Sequence, residues 1–212
     1  MSQALSFSPL LGFSLVIILM WVLNKVLKRK DVFEEPKGDT PPPFWIRSVL
    51  FLTCSLVSFF HGRNDGQKGI GLVMIILMAF LPTYFNMDNV GNPPTWVMWM
   101  VALSLGLGTM IGWKRIVVTI GEKIGKTHLT YAQGATSELV AAFTIGLSTY
   151  FKLPVSTTHI VSSGIAGSMV AKDGVKNLKT STLKTILSAW ILTLPITIFT
   201  SGGLFLLFRL FA

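Results

Sequence analysis

The chain alternates between long apolar runs and short polar segments. A bilayer core of about 30 Å needs about 20 residues of apolar helix to cross it. Apolar runs of about that length or longer cover residues 5–27, 44–81, 97–113 and 183–210. A further apolar stretch, 135–171, is divided by the polar segment KLPVSTTH. The pattern predicts an all-α, polytopic membrane protein.

The predicted organisation has three parts. Residues 1–27 form a first transmembrane helix, 28–43 a cytoplasmic linker and 44–212 the main membrane unit. The linker ends in three consecutive prolines, which cannot continue a helix. Composition agrees with the lipid bilayer as partner, because 13% of the residues are charged against roughly 25% in soluble domains.

The net charge of +9 indicates orientation and not a nucleic-acid partner. Basic residues stand in short clusters after the 5–27, 97–113 and 135–171 runs. Since such clusters tend to stay in the cytoplasm, we expect an external N-terminus and one net crossing by 44–81. The 135–171 stretch then enters and leaves on the cytoplasmic side. Its arms of about 12 to 17 residues favour a re-entrant helical hairpin over two full spans.

Polar residues and glycines interrupt the 44–81 run in the segment HGRNDGQKGIG. We expect a broken helix here, whose irregular backbone must face protein or water and not lipid. Asn64 and Asp65 would supply oxygen ligands for a hard cation such as Na⁺, or for a proton in its place. A simple turn joining two helices outside the bilayer is the alternative.

The segment KLPVSTTHIVSSG predicts a second helix start. Pro154 would end one helix, and Ser156 would cap the next. With Thr157 and Thr158 in the first turn, three hydroxyls lie beside free amides and could hold a tetrahedral oxyanion. An ordinary N-cap after a proline turn is the alternative. Two interrupted helices in one chain are typical of secondary transporters.

A lone carboxylate, Glu138, stands among apolar residues in QGATSELVAAF. An ionisable residue inside a membrane helix is costly and is a functional candidate for that reason. The alternative is a position at the aqueous end of the hairpin.

Three motifs, HGRNDGQKGIG, YAQGATSELVAA and LPVSTTHIVSSG, occur in that order. Together they resemble the C-terminal half of the PiT family of inorganic phosphate transporters, especially its bacterial low-affinity type. The likeness runs from about residue 41 to the end. It implies that 44–212 is one inverted-topology repeat of a secondary transporter, with a broken helix and a re-entrant hairpin.

The resemblance implies a role for each matching residue. Ser156, Thr157 and Thr158 would bind inorganic phosphate with the hairpin amides, and Gln67 would be an additional polar ligand. The residues for cation or proton coupling would be Asn64, Asp65 and Glu138. No cofactor and no resident metal are expected. The coupling ion would be H⁺ or Na⁺, with a divalent metal carried along as a metal–phosphate complex.

The resemblance also implies the function, which is phosphate symport across the bacterial inner membrane and not enzymatic catalysis. A complete transporter has two such repeats, whereas this sequence shows one motif of each kind. We therefore expect a fragment, a degraded product, or a half that needs an N-terminal partner chain or an oligomer. A non-transporting subunit that senses phosphate or modulates an intact carrier is the alternative function.

Overall fold

The computed structural model describes residues 2–27, 31–36, 41–87, 91–153 and 155–210, with side chains from residue 7 onward. Six α-helices within these ranges build the fold, and the all-α prediction is confirmed. They are α1 (Ser2–Val26), α2 (Phe44–Phe80), α3 (Thr95–Glu122), α4 (Tyr131–Tyr150), α5 (Thr157–Asp173) and α6 (Thr180–Arg209). A short 3-10 turn, Val175–Asn177, precedes α6.

Helices α2 and α4 lie side by side and run in the same direction. Near their starts, the Leu50 side chain packs on Gly134. Farther along, the Phe60 ring lies so close to Gly146 that a Cβ added there would stand 2.8 Å from Phe60 Cε1. Later residues of α2 meet later residues of α4, so the two helices are parallel and keep the same alignment along their length.

Helices α4 and α5 form the predicted helical hairpin. Ala141 and Ile145 of α4 pack against Ile160 of α5 and against Val155 in the connecting loop. The hairpin is therefore a packed antiparallel unit with a buried apolar core. Its arms have 20 and 17 residues, a few more than the sequence predicts.

Small residues bring α1 into backbone contact with α5. A Cβ at Gly12 would lie 2.6 Å from the Ile160 carbonyl oxygen, and one at Gly167 would lie 2.5 Å from the Phe13 carbonyl oxygen. Such close approach is typical of membrane helices, whose association depends on tight packing. Helix α1 therefore belongs to the same packed unit as the hairpin.

Helices α3 and α6 lie at the edge of this unit. No residue of α6, all of which are described, is buried. Leu183 and Ile186 of α6 pack beside Ile124, and the ring centroids of Trp190 and His159 are 3.9 Å apart. Helices α1, α2, α3 and α6 are each long and apolar enough to cross a membrane.

Three connections between helices meet at one end of the structure. Ala132 N donates to Val32 O at 3.0 Å, and Lys126 N donates to Asn177 O at 2.8 Å. These bonds join the linker after α1, the α3–α4 turn and the α5–α6 turn. They are the connections that the charge pattern assigns to one side, and they do share one end. That this end is cytoplasmic stays a prediction.

The predicted break in the 44–81 run is wrong. Helix α2 continues through HGRNDGQKGIG for a total of 37 residues. The segment contains no proline, so no amide is lost from the helix, and each glycine costs only about 1 kcal/mol. Ion pairs at helical spacing, His61 with Asp65 and Asp65 with Lys68, offset a small part of that cost. No helix N-terminus therefore exists at Asn64.

Replacing Gly167 by alanine tests the contact between α1 and α5. The new methyl group would meet backbone at 2.5 Å, so Gly167→Ala should cost about 1–3 kcal/mol. The thermal unfolding midpoint of the purified chain in detergent measures the effect. Gly108→Ala is the control, because Gly108 faces open space and alanine is the better helix former. Equal stability of Gly167→Ala and the unchanged chain would contradict the contact.

Candidate functional site

The tip of the hairpin, residues 151–153 with 155 and 156, lies against the middle of α2 through Val155. Asn64 Nδ2 donates a hydrogen bond of 3.3 Å to Thr149 Oγ1, at the end of α4. One turn farther along, Lys68 Nζ donates to the Val155 carbonyl oxygen at 2.9 Å. The structure thus brings the two predicted polar motifs together, although one of them is helical.

The Asp65 carboxylate is held by its own helix. His61 Nε2 lies 2.9 Å from Asp65 Oδ2, and Lys68 Nζ lies 2.9 Å from Asp65 Oδ1. Both oxygens therefore have a nitrogen partner one turn away. Successive residues of an α-helix point about 100° apart, so Asn64 and Asp65 face different neighbours and do not converge on one point.

Asn64 is the buried member of the pair, with a relative exposure of 5%. Its Nδ2 reaches Thr149, whereas its Oδ1 is buried with no hydrogen-bond partner among the described residues. Leaving a buried polar atom unsatisfied costs about 1–3 kcal/mol. This acceptor is available to a cation or a donor that enters between α2 and α4.

The hairpin's second helix starts as predicted. Ser156 is the N-cap of α5, and its Oγ accepts a hydrogen bond of 3.4 Å from His159 N. Thr157 and Thr158 form the first turn, where helix geometry leaves amides without an intrahelical acceptor. Pro154, predicted to end the preceding helix, lies outside the described residues.

A cavity of about 1020 Å³ lies between α2, α3, α4 and α5. The polar residues that line it on α2, α4 and α5 are Ser58, His61, Arg63, Gln67, Ser137, Glu138, Thr157 and Thr158. Its opposite wall, on α3, is apolar except for Thr109. Four of the predicted site residues thus share one cavity.

The other three predicted residues lie behind this lining. Asn64, Asp65 and Ser156 are absent from the residues that border the cavity. They hold the hairpin tip and the first turn of α5 against α2. In this conformation they support the lining residues and do not border the cavity themselves.

Glu138 has a partner that sequence reasoning missed. Thr53 Oγ1, on α2, donates a hydrogen bond of 2.5 Å to Glu138 Oε2. Thr53 is buried and stands in an ordinary apolar run, so no local pattern marks it. Only the register of α2 against α4 makes the pair.

Ser137, next to Glu138, is a second residue that the sequence did not reveal. It borders the cavity, is 2% exposed, and its Oγ has no hydrogen-bond partner in the described part of the chain. A hydroxyl in that position can donate to or accept from a bound solute.

The described ranges contain no group of three His, Cys, Asp or Glu side chains able to hold a metal ion.

Comparison with known proteins identifies the family of the chain. A model of the phosphate transporter family matches residues 2–201. The chain belongs to the phosphate transporter family. The family is one of transporters and not of enzymes, as the sequence indicates. Together with four helices able to cross a membrane, membership makes the chain a multi-pass protein of the cell membrane.

Several curated members of the family are similar in sequence. The low-affinity inorganic phosphate transporter of Buchnera aphidicola subsp. Acyrthosiphon pisum is 30% identical over 95% of this chain and 66% of its own length. PitB of Escherichia coli is 29% identical over 96% and 67%. A probable low-affinity inorganic phosphate transporter of Bacillus subtilis is 36% identical over 92% and 54%.

The chain thus spans between about half and two thirds of the length of these family members. No solved structure matches it. The resemblance to the phosphate transporters in the sequence motifs is confirmed at the level of the family.

A disulfide between α2 and α4 tests the register that builds the site. In a Cys54→Ser background, Asn64→Cys with Thr149→Cys should cross-link on mild oxidation, because the native side chains are in hydrogen-bond contact. Asn64→Cys with Glu138→Cys is the control, since the two positions differ by about three turns along α4. Mass spectrometry of linked peptides reads the result. Preferential linkage of the control pair would show the register to be wrong.

Proposed function

We propose that this chain is half of a carrier that moves inorganic phosphate across the bacterial inner membrane with a cation or proton. The observation that carries the proposal is the shared cavity. It presents the first turn of α5 and the Arg63 side chain to the same space, and it contains Glu138. Family membership supplies the class of solute.

Phosphate binding follows from the chemistry of the lining. Amides at a helix N-terminus attract anions, and the Thr157 and Thr158 hydroxyls add donors beside them. Arg63 brings a positive charge, and a guanidinium can bind two phosphate oxygens at once. Gln67, one turn after Arg63 on α2, adds an amide donor. Ser156 contributes by capping α5 and fixing the direction of its first turn.

Coupling follows from the carboxylate in the same cavity. Glu138 and a bound phosphate repel each other unless a proton or cation neutralises one of them. Phosphate therefore binds better when the positive ion is present. By reciprocal linkage, the ion also binds better when phosphate is present. Asn64 and Asp65 anchor α2 to the hairpin tip and so connect the ion's site to movement of the tip. The coupling ion is H⁺ or Na⁺, and a divalent metal is carried along with phosphate as a complex.

The relative lengths of α2 and the hairpin support a re-entrant hairpin. The tip meets α2 at Lys68, and α2 continues to Phe80. The residues 69–80 extend it by roughly 18 Å beyond the tip. We propose that the tip lies at membrane depth, where polar backbone must line a wet cavity.

A partner completes the carrier in this proposal. The chain covers only part of the length of its relatives, and its sequence contains one Asn-Asp motif and one Ser-Thr-Thr hairpin. We propose that an N-terminal half-transporter chain, or an oligomer, supplies the second repeat. The exposed part of α6, residues 191–209, leaves apolar surface for such a contact.

Uptake of labelled phosphate tests the site. The chain is expressed in a bacterium lacking its own phosphate carriers, together with the N-terminal portion of the Bacillus subtilis relative. The double variant Thr157→Val with Thr158→Val should lower uptake at least about tenfold, because two donors of the phosphate cradle are lost. Glu138→Gln should abolish dependence of uptake on the coupling ion.

Thr197→Val is the matched control, since Thr197 lies on α6 and donates only within that helix in the described structure. Uptake by the threonine double variant equal to that of the control would remove the site assignment. Phosphate binding by the purified chain without uptake, with any N-terminal partner, would indicate a sensing subunit in place of a carrier.

A further inference from the structure

The ammonium of Lys68 joins two oxygens that belong to different parts of the fold. Lys68 Nζ is 2.9 Å from Asp65 Oδ1 on α2 and 2.9 Å from the Val155 carbonyl oxygen at the hairpin tip. The Lys68 ammonium lies between the Asp65 carboxylate and the Val155 carbonyl of the tip. The contact therefore fastens the tip to α2 through a cation.

Both oxygens are of the kind that alkali cations take as ligands. Transporters bind Na⁺ with carboxylates and with backbone carbonyls of interrupted helices near the middle of the membrane. Val155 lies in such an interruption, between α4 and α5. Here an ammonium occupies the space between the two ligands, and it is covalently attached to the chain.

The groups around Asp65 make the binding of a second cation unfavourable. The other Asp65 oxygen is 2.9 Å from His61 Nε2, so the carboxylate already has a partner on each oxygen. A further positive ion would also meet the charge of Lys68 at close range, which is unfavourable. Arg63, on the same helix, and Lys152, at the tip, add two more positive charges to this part of the chain.

We infer that Lys68 is a tethered cation whose ammonium fills, between Asp65 and Val155, the position that an alkali cation from solution would otherwise take. The inference rests on the proposed coupling role of Asp65. It restricts that role, because Asp65 binds the Lys68 ammonium in place of an alkali cation from solution. The link between α2 and the tip is then independent of Na⁺. Glu138 is left as the carboxylate that is open to the coupling ion.

Hydrogen exchange at the tip tests the inference without measuring transport. Lys152 N and Leu153 N donate to Thr149 O and Ser148 O, so their exchange reports opening of the tip. The full chain in lipid nanodiscs is compared in Na⁺ and in choline at equal ionic strength. The unchanged chain should exchange equally in both. Lys68→Ala should exchange about tenfold faster in choline, having lost a charged hydrogen bond, and return toward the unchanged rate in Na⁺.

Lys152→Ala is the control, because it removes a positive charge from the tip and keeps the Lys68 bridge. It should remain indifferent to Na⁺. Lys68→Gln, which keeps a hydrogen-bonding side chain without charge, is a second variant in case Lys68→Ala does not fold.

Three results would overturn the inference. These are Na⁺ protection of the tip in the unchanged chain, unchanged exchange in the Lys68 variants, and faster exchange that Na⁺ does not reverse. Because the readout is exchange, a failure here leaves the phosphate uptake result intact. A failure of uptake likewise leaves the exchange result intact.

Discussion

The parallel contact between α2 and α4 decides where every polar group of the cavity lies. Because the two helices keep one register, the same alignment places Glu138 beside Thr53 and Thr149 beside Asn64. A slip of one helical turn moves each partner by about 5.4 Å and separates both pairs. Close packing at Gly146 opposes such a slip, since a side chain there would press on the Phe60 ring.

Most polar groups in this region have a hydrogen-bond or ion-pair partner within the protein. Asp65 has a nitrogen partner on each oxygen, and Ser156 satisfies an amide of α5. Each pairing lowers the cost of keeping a polar group in an apolar setting. The exceptions are Asn64 Oδ1 and the hydroxyls of Ser137 and Thr144, which have no partner among the described residues. Unmet polar atoms therefore lie beside the hairpin tip, at Asn64, and on the cavity wall, at Ser137.

Local rules were sufficient for the hairpin and insufficient for α2. An N-cap serine followed by two threonines can be recognised from a few adjacent residues. Ser156 is the N-cap of α5, as those rules predict. The segment around Asn64 has the composition of a turn, yet it is helical, with local ion pairs and with bonds to the hairpin that a local pattern cannot contain. Asn64 meets Thr149 across 85 positions, and Lys68 meets Val155 across 87. Thr53 was missed for the same reason, since its partner lies on another helix.

The apolar wall of the cavity is attached differently from the other walls. Helix α3 contributes Val101 and Leu105, and it meets α2 where Val101 packs on Gly69. Its contact with α5 is slight. Helix α3 is also held at its C-terminal end, where Ile120 packs beside Ile165 and Ala166 and Lys126 N in the following turn donates to Asn177 O. A sideways opening of the chamber past Val101 and Leu105 would break apolar contacts of α3, while the cap of α5 and the bonds of the tip would stay in place.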